Sequence, residues 1–505
     1  MDTLFILPLP FFISVIVLFA LGAWAWTKRH SGWGLPMGMV LLTVAFWYHG
    51  DALYNDYEEY RLRMGDRALE AAWWQVLLFL AAFGALVPTC HGLLNHGLGR
   101  GTSRMMVYYE TRLLESIPVQ RRIDRFASIM LLAWLLLMAF ALVRVEFNFV
   151  GLFFPFLGER VNPWSRGRMG GGLDAVFSLA GYAQVLLTAG FGVMLAVARN
   201  PRTSSIALLV CALALPFYFI DRTRNTMIAV LLPGLLAWVF FRLRIGLGGR
   251  IAVLTVAYLA INFWFSFVIA NRGGSIAQQL GDEAAIERAL ESRHEGISMF
   301  SELGYMNDFL QRDVMDINYG QRYFAELVNP IPRAIWRNKP TAGLEYAVAR
   351  GFGELDADDA GGGGVTASIA SGLIGQGILN FGRVFGPMAA ALLMALWVAI
   401  LARQDRLGQD PARMLLYAIG MILTFNMGRD ITLLVLYPFL FGWIGLHFAI
   451  RAGWYQPPSP AEMRPRKRKR KRKRILPRTH LEKSPGRDRL PGRPIPPPHG
   501  GPSKW

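Results

Sequence analysis

Long, almost uninterrupted apolar runs dominate this chain and leave it few folds. A helix needs about 20 apolar residues to cross roughly 30 Å of hydrocarbon. Eleven stretches are candidates: residues 4–26, 35–49, 73–94, 126–147, 173–198, 203–220, 226–241, 251–270, 384–402, 414–428 and 431–450. Backbone groups in lipid must be satisfied within the segment that carries them. The expectation is therefore an all-α polytopic membrane protein with about 11 transmembrane helices. Composition agrees, with 53% hydrophobic and 17% charged residues and a mean hydropathy of +0.32. Cys90 and Cys211 both lie in apolar runs, which excludes a disulfide framework, a thiolate metal site and a redox pair.

The net charge of +18 resembles that of a nucleic-acid binder until it is located. Arg451 to Trp505 holds 17 Lys and Arg against 3 Asp and Glu, leaving only +4 for the rest of the chain. Basic residues near span ends are retained on the cytoplasmic side. They gather at Lys28 and Arg29, at Arg100 to Arg125, at Arg199 and Arg202, at Arg242 to Arg250, at Arg403 to Arg413, and in the tail. This alternation places the N-terminus outside and the C-terminus inside. The first span lacks a basic leader and a small-x-small cleavage site, and is expected to be retained.

The chain thus divides into a multi-span domain over residues 1–450, a large outer loop at 271–383 inserted between spans, and a tail at 451–505. The loop holds 15 Asp and Glu against 10 Lys and Arg, and helices are expected at Ile276 to His294 and Ile297 to Asp313. On the inner side, Met106, Tyr109, Leu113 and Ile117 recur at helical spacing, so Arg104 to Arg122 reads as an interfacial amphipathic helix up to Pro118. The tail carries ten basic residues among the eleven from Arg464 to Arg474, followed by Pro-rich sequence that cannot bury a core. Anionic membrane lipids are its expected partner, in preference to nucleic acid.

Three clusters of charge conflict with their surroundings. Met414 to Ile450 is a run of 37 residues whose only charges are Arg429 and Asp430. Two crossings need about 60 Å, and this much helix supplies only about 55 Å. The turn must then sink into the membrane edge or lie inside protein, where an ion pair either staples the hairpin or marks a substrate path. Asp221 to Asn225 puts Arg222 and Arg224 on the outer side, against the positive-inside tendency; they either snorkel to lipid phosphates or bind an anion. In Asn329 to Pro340, Arg333, Arg337 and Lys339 alternate with prolines and Trp336. With Arg272 just after the eighth span, four segments bring cations to the outer side, an arrangement suited to a diphosphate.

The loop also offers His294, Glu295, Glu302, Asp308, Glu326 and Glu354 as proton acceptors. Glu295, Glu302 and Asp308 fall roughly on one helical face. Walker-type, His-Glu-x-x-His and Gly-x-Ser-x-Gly motifs and metal-ligand spacings are absent from the sequence, which argues against ATP-driven and zinc chemistry.

The stretches Asn318 to Pro340, Gly372 to Pro387, Asp221 to Met227 and Asn426 to Asp430 resemble the oligosaccharide repeat-unit polymerases, the O-antigen polymerase family of bacterial inner membranes. With the spans and the late outer loop, the resemblance covers roughly residues 120–450. Gln376 stands where relatives often present an acidic residue. The resemblance implies a membrane glycosyltransferase of GT-C-like architecture that polymerises polyprenyl-diphosphate-linked oligosaccharides at the periplasmic face, with one such lipid as donor and another as acceptor and no metal or other cofactor. It implies Arg222, Arg224, Arg333 and Arg429 as a diphosphate cradle, with Arg272, Arg337 and Lys339 in support and Asp430 beside Arg429. Glu302 is the expected general base, with His294 and Glu295 behind it, and flippase and chain-length regulator proteins are implied partners. An O-antigen ligase-type transferase shares donor and architecture; a lipid-linked glycan transporter would require similar halves and charges spread through mid-membrane. Topology reporters fused after residues 60 and 310 should read outside, and those after 110, 245 and 408 inside; an inside reading at 310 would remove the proposed outer site.

Overall fold

The computed structural model describes residues 6–96, 102–111, 115–157, 161–164, 174–220, 224–270, 282–284, 286–287, 298–328, 331, 335–336, 338–340, 343–353, 369–407, 411–431 and 433–456. Among them the chain is helical and contains no strand element. Among the described residues, seven helices are long and apolar enough to cross a membrane, and shorter apolar helices cover Thr226–Arg242 and Ala412–Met427. The chain is thus an all-helical, membrane-embedded protein.

In chain order, α1 is Leu9–Thr27 and α2 is Gly34–Val44; α2 runs through a π-helical turn at Ala45–His49 into the short α3, Gly50–Tyr54. Next come α4 (Tyr57–Met64), α5 (Asp66–Leu94), α6 (Arg104–Thr111), α7 (Ile117–Arg144), α8 (Phe149–Phe153), α9 (Asp174–Val197) and α10 (Pro201–Phe219). Then follow α11 (Arg224–Ala237), a second π-helical turn at Trp238–Arg242, and α12 (Leu247–Ala270). The segment between α12 and the helix that follows it contributes α13 (Met299–Gln311), α14 (Gln321–Val328) and α15 (Leu344–Ala349). The chain returns through α16 (Leu373–Leu407), α17 (Pro411–Met427) and α18 (Leu433–Arg451).

Two expectations need correction. The expected amphipathic helix does not continue unbroken to Pro118: the described part of α6 is Arg104–Thr111, Ser116 lies outside any helix, and Ile117 already opens α7. Pro118 is the reason, since proline is favoured in the first turn of a helix, where its missing N–H is not needed. The ninth span likewise begins earlier than residue 384, because residues 373–381 are already helical. At Gly382 the backbone takes φ 77° and ψ −177°. A Cβ built on Gly386 would lie only 2.6 Å from the carbonyl carbon of Gly377. Residues nine apart in one straight helix are about 13 Å apart, so the chain has doubled back. Residues 373–381 form a short arm folded against the start of the helix that follows.

The bundle is centred on α5 and α16. At one end, the Gln75 and Asn307 amides exchange hydrogen bonds of 2.8 Å each way, and Trp73 stacks on Phe300 with centroids 4.2 Å apart. At the other, Asn95 Nδ2 donates to the Ala399 carbonyl at 3.1 Å and Arg403 to the Leu94 carbonyl at 2.8 Å. Helices α9 and α11 cross at Gly192 and Gly234, so close that a Cβ on Gly234 would lie 3.0 Å from the Gly192 Cα.

The expected loop helix over Ile297 to Asp313 is present as α13; most of Ile276 to His294 lies outside the described residues. Asp51 of α3 fixes the start of α13, accepting hydrogen bonds from the backbone N–H groups of Phe300 at 2.7 Å and Ser301 at 2.9 Å. It also accepts from Asn55 and Tyr60 and is fully buried. One carboxylate therefore caps a helix from another part of the chain and ties α13 to α3. Asp51→Ala leaves two buried N–H groups unpaired and should destabilise the protein by about 1–3 kcal/mol, read as a fall in Tm of the purified chain. Burial pushes the Asp51 carboxyl from 3.8 up to about 6, against the opposing hydrogen bonds. The raised value makes its titration contribute stability at low pH that is lost as pH rises through about 6, so the Tm advantage over Asp51→Asn should shrink between about pH 4.5 and pH 7.5. A constant difference would contradict this.

Candidate functional site

The short arm of α16 and the turn between α17 and α18 build the site together. The first N–H groups of a helix have no partner within it. Here Gly372 N–H donates to the Arg429 carbonyl at 2.7 Å, and Leu373 N–H to the Gly428 carbonyl at 3.0 Å. Ile374 N–H donates to the Tyr48 hydroxyl at 2.8 Å. The arm's N-terminus is thereby spent on structure. From the other direction, Gln376 Oε1 accepts from Ile431 N–H at 3.0 Å, and the Ser371 hydroxyl donates to Asp430 Oδ1 at 3.1 Å. Gly428 has no alternative at its position, since a Cβ there would collide with Trp47 and sit 2.5 Å from Thr43 Cγ2. The Trp47 indole N–H reaches the Phe425 carbonyl at 2.8 Å.

Asp430 is only 7% exposed. Of the two placements the short hairpin allowed, the turn therefore takes the one inside protein. Arg322 of α14 faces Asp430, with Nη2 3.6 Å from Oδ2, and its side chain is 4% exposed. That separation is a charge contact, too long for a hydrogen bond. The backbone of α14 is held in place by Asn380 of the arm, whose Oδ1 accepts from the N–H groups of Arg322 and Tyr323. Gly343, at φ 77°, supplies the remaining room: a Cβ there would lie 3.0 Å from Arg322 Nη2.

Three buried side-chain atoms around Asp430 have no hydrogen-bond partner among the described residues: Arg322 Nε, Gln376 Nε2 and the Tyr323 hydroxyl. Each can donate. Buried polar groups are nearly always satisfied, so a cluster of idle donors calls for an acceptor. Burial, and next the Asp430 charge, raise the Tyr323 phenol above its ordinary value. Burial likewise raises the Asp430 carboxyl, against Arg322, Ser371 and Arg429. The half-buried Arg429 guanidinium lies 5.9 Å from the Trp47 ring centroid. Burial lowers its pKa, while Asp430 and Glu302 pull it upward.

Glu302 on α13 lies in the same neighbourhood, buried and fully engaged. Arg350 grips it with two hydrogen bonds, 3.1 Å to Oε2 and 3.2 Å to Oε1, and the Tyr346 hydroxyl donates to it as well. Arg350 in turn sits 3.8 Å from the Tyr305 ring centroid. A proton transfer to Glu302 would first require Arg350 to let go. The neighbouring Asp308 is paired with Arg312.

Of the residues expected from sequence, the structure brings together Glu302, Arg429 and Asp430, with Gln376 beside them. Lys339 Nζ donates to the Ile331 carbonyl at 2.8 Å, bracing its own loop. Arg222, Arg272, His294, Glu295, Arg333 and Arg337 lie outside the described residues, as does the side chain of Arg224 at the start of α11. Arg322, Tyr323, Ser371 and Asn380 were missed. The available signal for Arg322 was its position beside Gly320 and between Gln321 and the aromatic pair Tyr323 and Phe324. Compared with protein-family models, curated proteins and solved structures, the chain matches none of them.

Breaking a buried ion pair from one side strands the other charge, at about 3–5 kcal/mol. Asp430→Ala should therefore lower the unfolding midpoint strongly, while Arg322→Met combined with Asp430→Asn should return it close to wild type. Equal loss in the single and double variants would mean that the pair has no energetic coupling.

Proposed function

We propose that the protein is a metal-independent membrane glycosyltransferase of the repeat-unit polymerase type, joining polyprenyl-diphosphate-linked oligosaccharides. The observation that carries this reading is the ring of idle buried donors from Arg322, Gln376 and Tyr323 around one carboxylate. Among Arg322, Arg350, Arg429, Glu302 and Asp430, cations exceed carboxylates by one. A buried excess of positive charge with unspent N–H and O–H groups favours a doubly charged, oxygen-rich anion, and a diphosphate meets that description.

The donor diphosphate takes the place of Asp430 on Arg322 and accepts from Gln376 Nε2 and the Tyr323 hydroxyl, with Arg429 on the turn's other side. The acceptor hydroxyl attacks the donor's anomeric carbon; the new C–O bond forms as the bond to the diphosphate breaks, and the electron pair leaves with the phosphate oxygen. Charge grows on that oxygen in the transition state, where preorganised guanidinium groups stabilise it most. Asp430, released from Arg322, takes the acceptor's proton; burial has already raised its pKa in the direction a general base needs. The Glu302–Arg350 pair acts as a positioning element that holds α13 and α15 over the site. Arg222, Arg224, Arg272, Arg333, Arg337 and Lys339 belong to outer segments that can extend the cradle along the lipid-linked substrate.

In a strain lacking this protein, surface glycan should be limited to single repeats, and complementation should restore the polymer; complete absence of attached glycan would indicate a ligase. Arg322→Ala and Arg429→Ala should each reduce polymer per inserted molecule by about one to two decades, the loss of one charge-assisted contact in the transition state. Lysine at either position should rescue only partly, because the ammonium lacks the two-pronged guanidinium grip. Full activity in Arg322→Ala would remove it from the site.

A further inference from the structure

The end of the bundle opposite this site contains an apolar, partly open cavity of about 230 Å³ where α2, α6, α7, α9, α11 and α17 converge. Its wall includes Met39, Met105, Phe126, Val193, Phe240 and Tyr417. Apolar cavities of about 150 Å³ stay dry and admit benzene, so in a membrane this space is filled by hydrocarbon. Two polar features accompany it. The buried Tyr417 hydroxyl, on an otherwise apolar wall, has no hydrogen-bond partner among the described residues. Beside the lining residue Phe240, the Arg250 guanidinium lies 5.7 Å from that ring's centroid and 5.6 Å from that of Tyr109, and donates to the Tyr109 hydroxyl at 2.6 Å. Its Nε is buried and also has no partner among the described residues.

We infer that this cavity and Arg250 form a binding site for one anionic phospholipid, with an acyl chain inside the cavity and the phosphate on Arg250. A lipid phosphate supplies the acceptor that Arg250 Nε lacks, and an ester carbonyl is the acceptor a phospholipid offers Tyr417. A polyprenyl chain alone would satisfy neither. Met105 lines the cavity, and Tyr109 packs 6.4 Å from both Phe240 and Phe241. Both belong to α6, whose N-terminus is anchored by Asp405 Oδ1, the acceptor for Met105 N–H at 2.8 Å. The lipid therefore completes the packing between α6 and the π-helical turn that ends α11.

The test uses the full-length protein purified in mild detergent and washed in high salt to screen the polybasic tail. Retained lipid is counted by native mass spectrometry after exchange into equal amounts of phosphatidylglycerol and phosphatidylcholine. Wild type should keep one phospholipid with about a fivefold preference for the anionic headgroup, the size of one basic contact near a membrane surface. Arg250→Gln should keep a lipid and lose the preference. Ala418→Phe, which fills the cavity from its wall, should lose the bound lipid, and thermal melting of both variants checks that they fold. Equal headgroup retention in wild type, an unchanged preference in Arg250→Gln, or undiminished lipid in a folded Ala418→Phe would each overturn the site.

Discussion

The reversal at Gly382 and its docking onto the Gly428–Ile431 turn organise one end of this protein. Because the chain doubles back, the first N–H groups of the short arm meet the carbonyls of Gly428 and Arg429 and the hydroxyl of Tyr48. These bonds join α16, the α17–α18 hairpin and the end of α2. They also fix where Asp430 can be. Everything later assembled around Asp430, from Arg322 on α14 to Gln376 on the arm, refers to that junction. A side chain at Gly386 would push the arm off its own helix, and one at Gly428 would displace the turn from Trp47.

Upon this frame the polar groups are uneven in a directed way. Glu302 has all it needs from Arg350 and Tyr346, whereas Arg322, Gln376 and Tyr323 still hold unused donors. Burying a charge without full compensation is expensive, and such groups persist where something other than stability is served. Asp430 stands at a distance that attracts Arg322 without satisfying it, the place the proposed function gives to a substrate anion. Rigid packing on one side and unmet hydrogen bonds on the other are what a preorganised anion site requires.

Much of the architecture is legible in the sequence, because a membrane crossing is written in about 20 contiguous apolar residues. Arg429 and Asp430 are legible for the same reason, being the only charges in a hairpin too short to expose them. The reversal at Gly382 is not, since apolar residues continue on both sides and only the backbone angle betrays it. Arg322 escapes for a different reason: it sits on a short helix in a long loop, and what buries it, Gly343, Asn380 and Asp430, comes from three distant parts of the chain. Glu302 is legible as a chemically capable group, but its engagement by Arg350, 48 residues away, depends on contacts that no local pattern records. Pro118 is a sharper case, for its residue type alone explains why α7 starts where it does, once it is read as a helix opener in preference to a breaker.

The central claim is that a diphosphate displaces Asp430 from Arg322. Its most direct test is equilibrium binding of farnesyl diphosphate, a short polyprenyl diphosphate, to the purified full-length protein and to folded Asp430→Asn and Arg322→Met variants. The expected result is saturable binding by wild type, tighter binding by Asp430→Asn because the competing carboxylate is gone, and lost binding by Arg322→Met. Binding that weakens in Asp430→Asn, or survives unchanged in Arg322→Met, would contradict it.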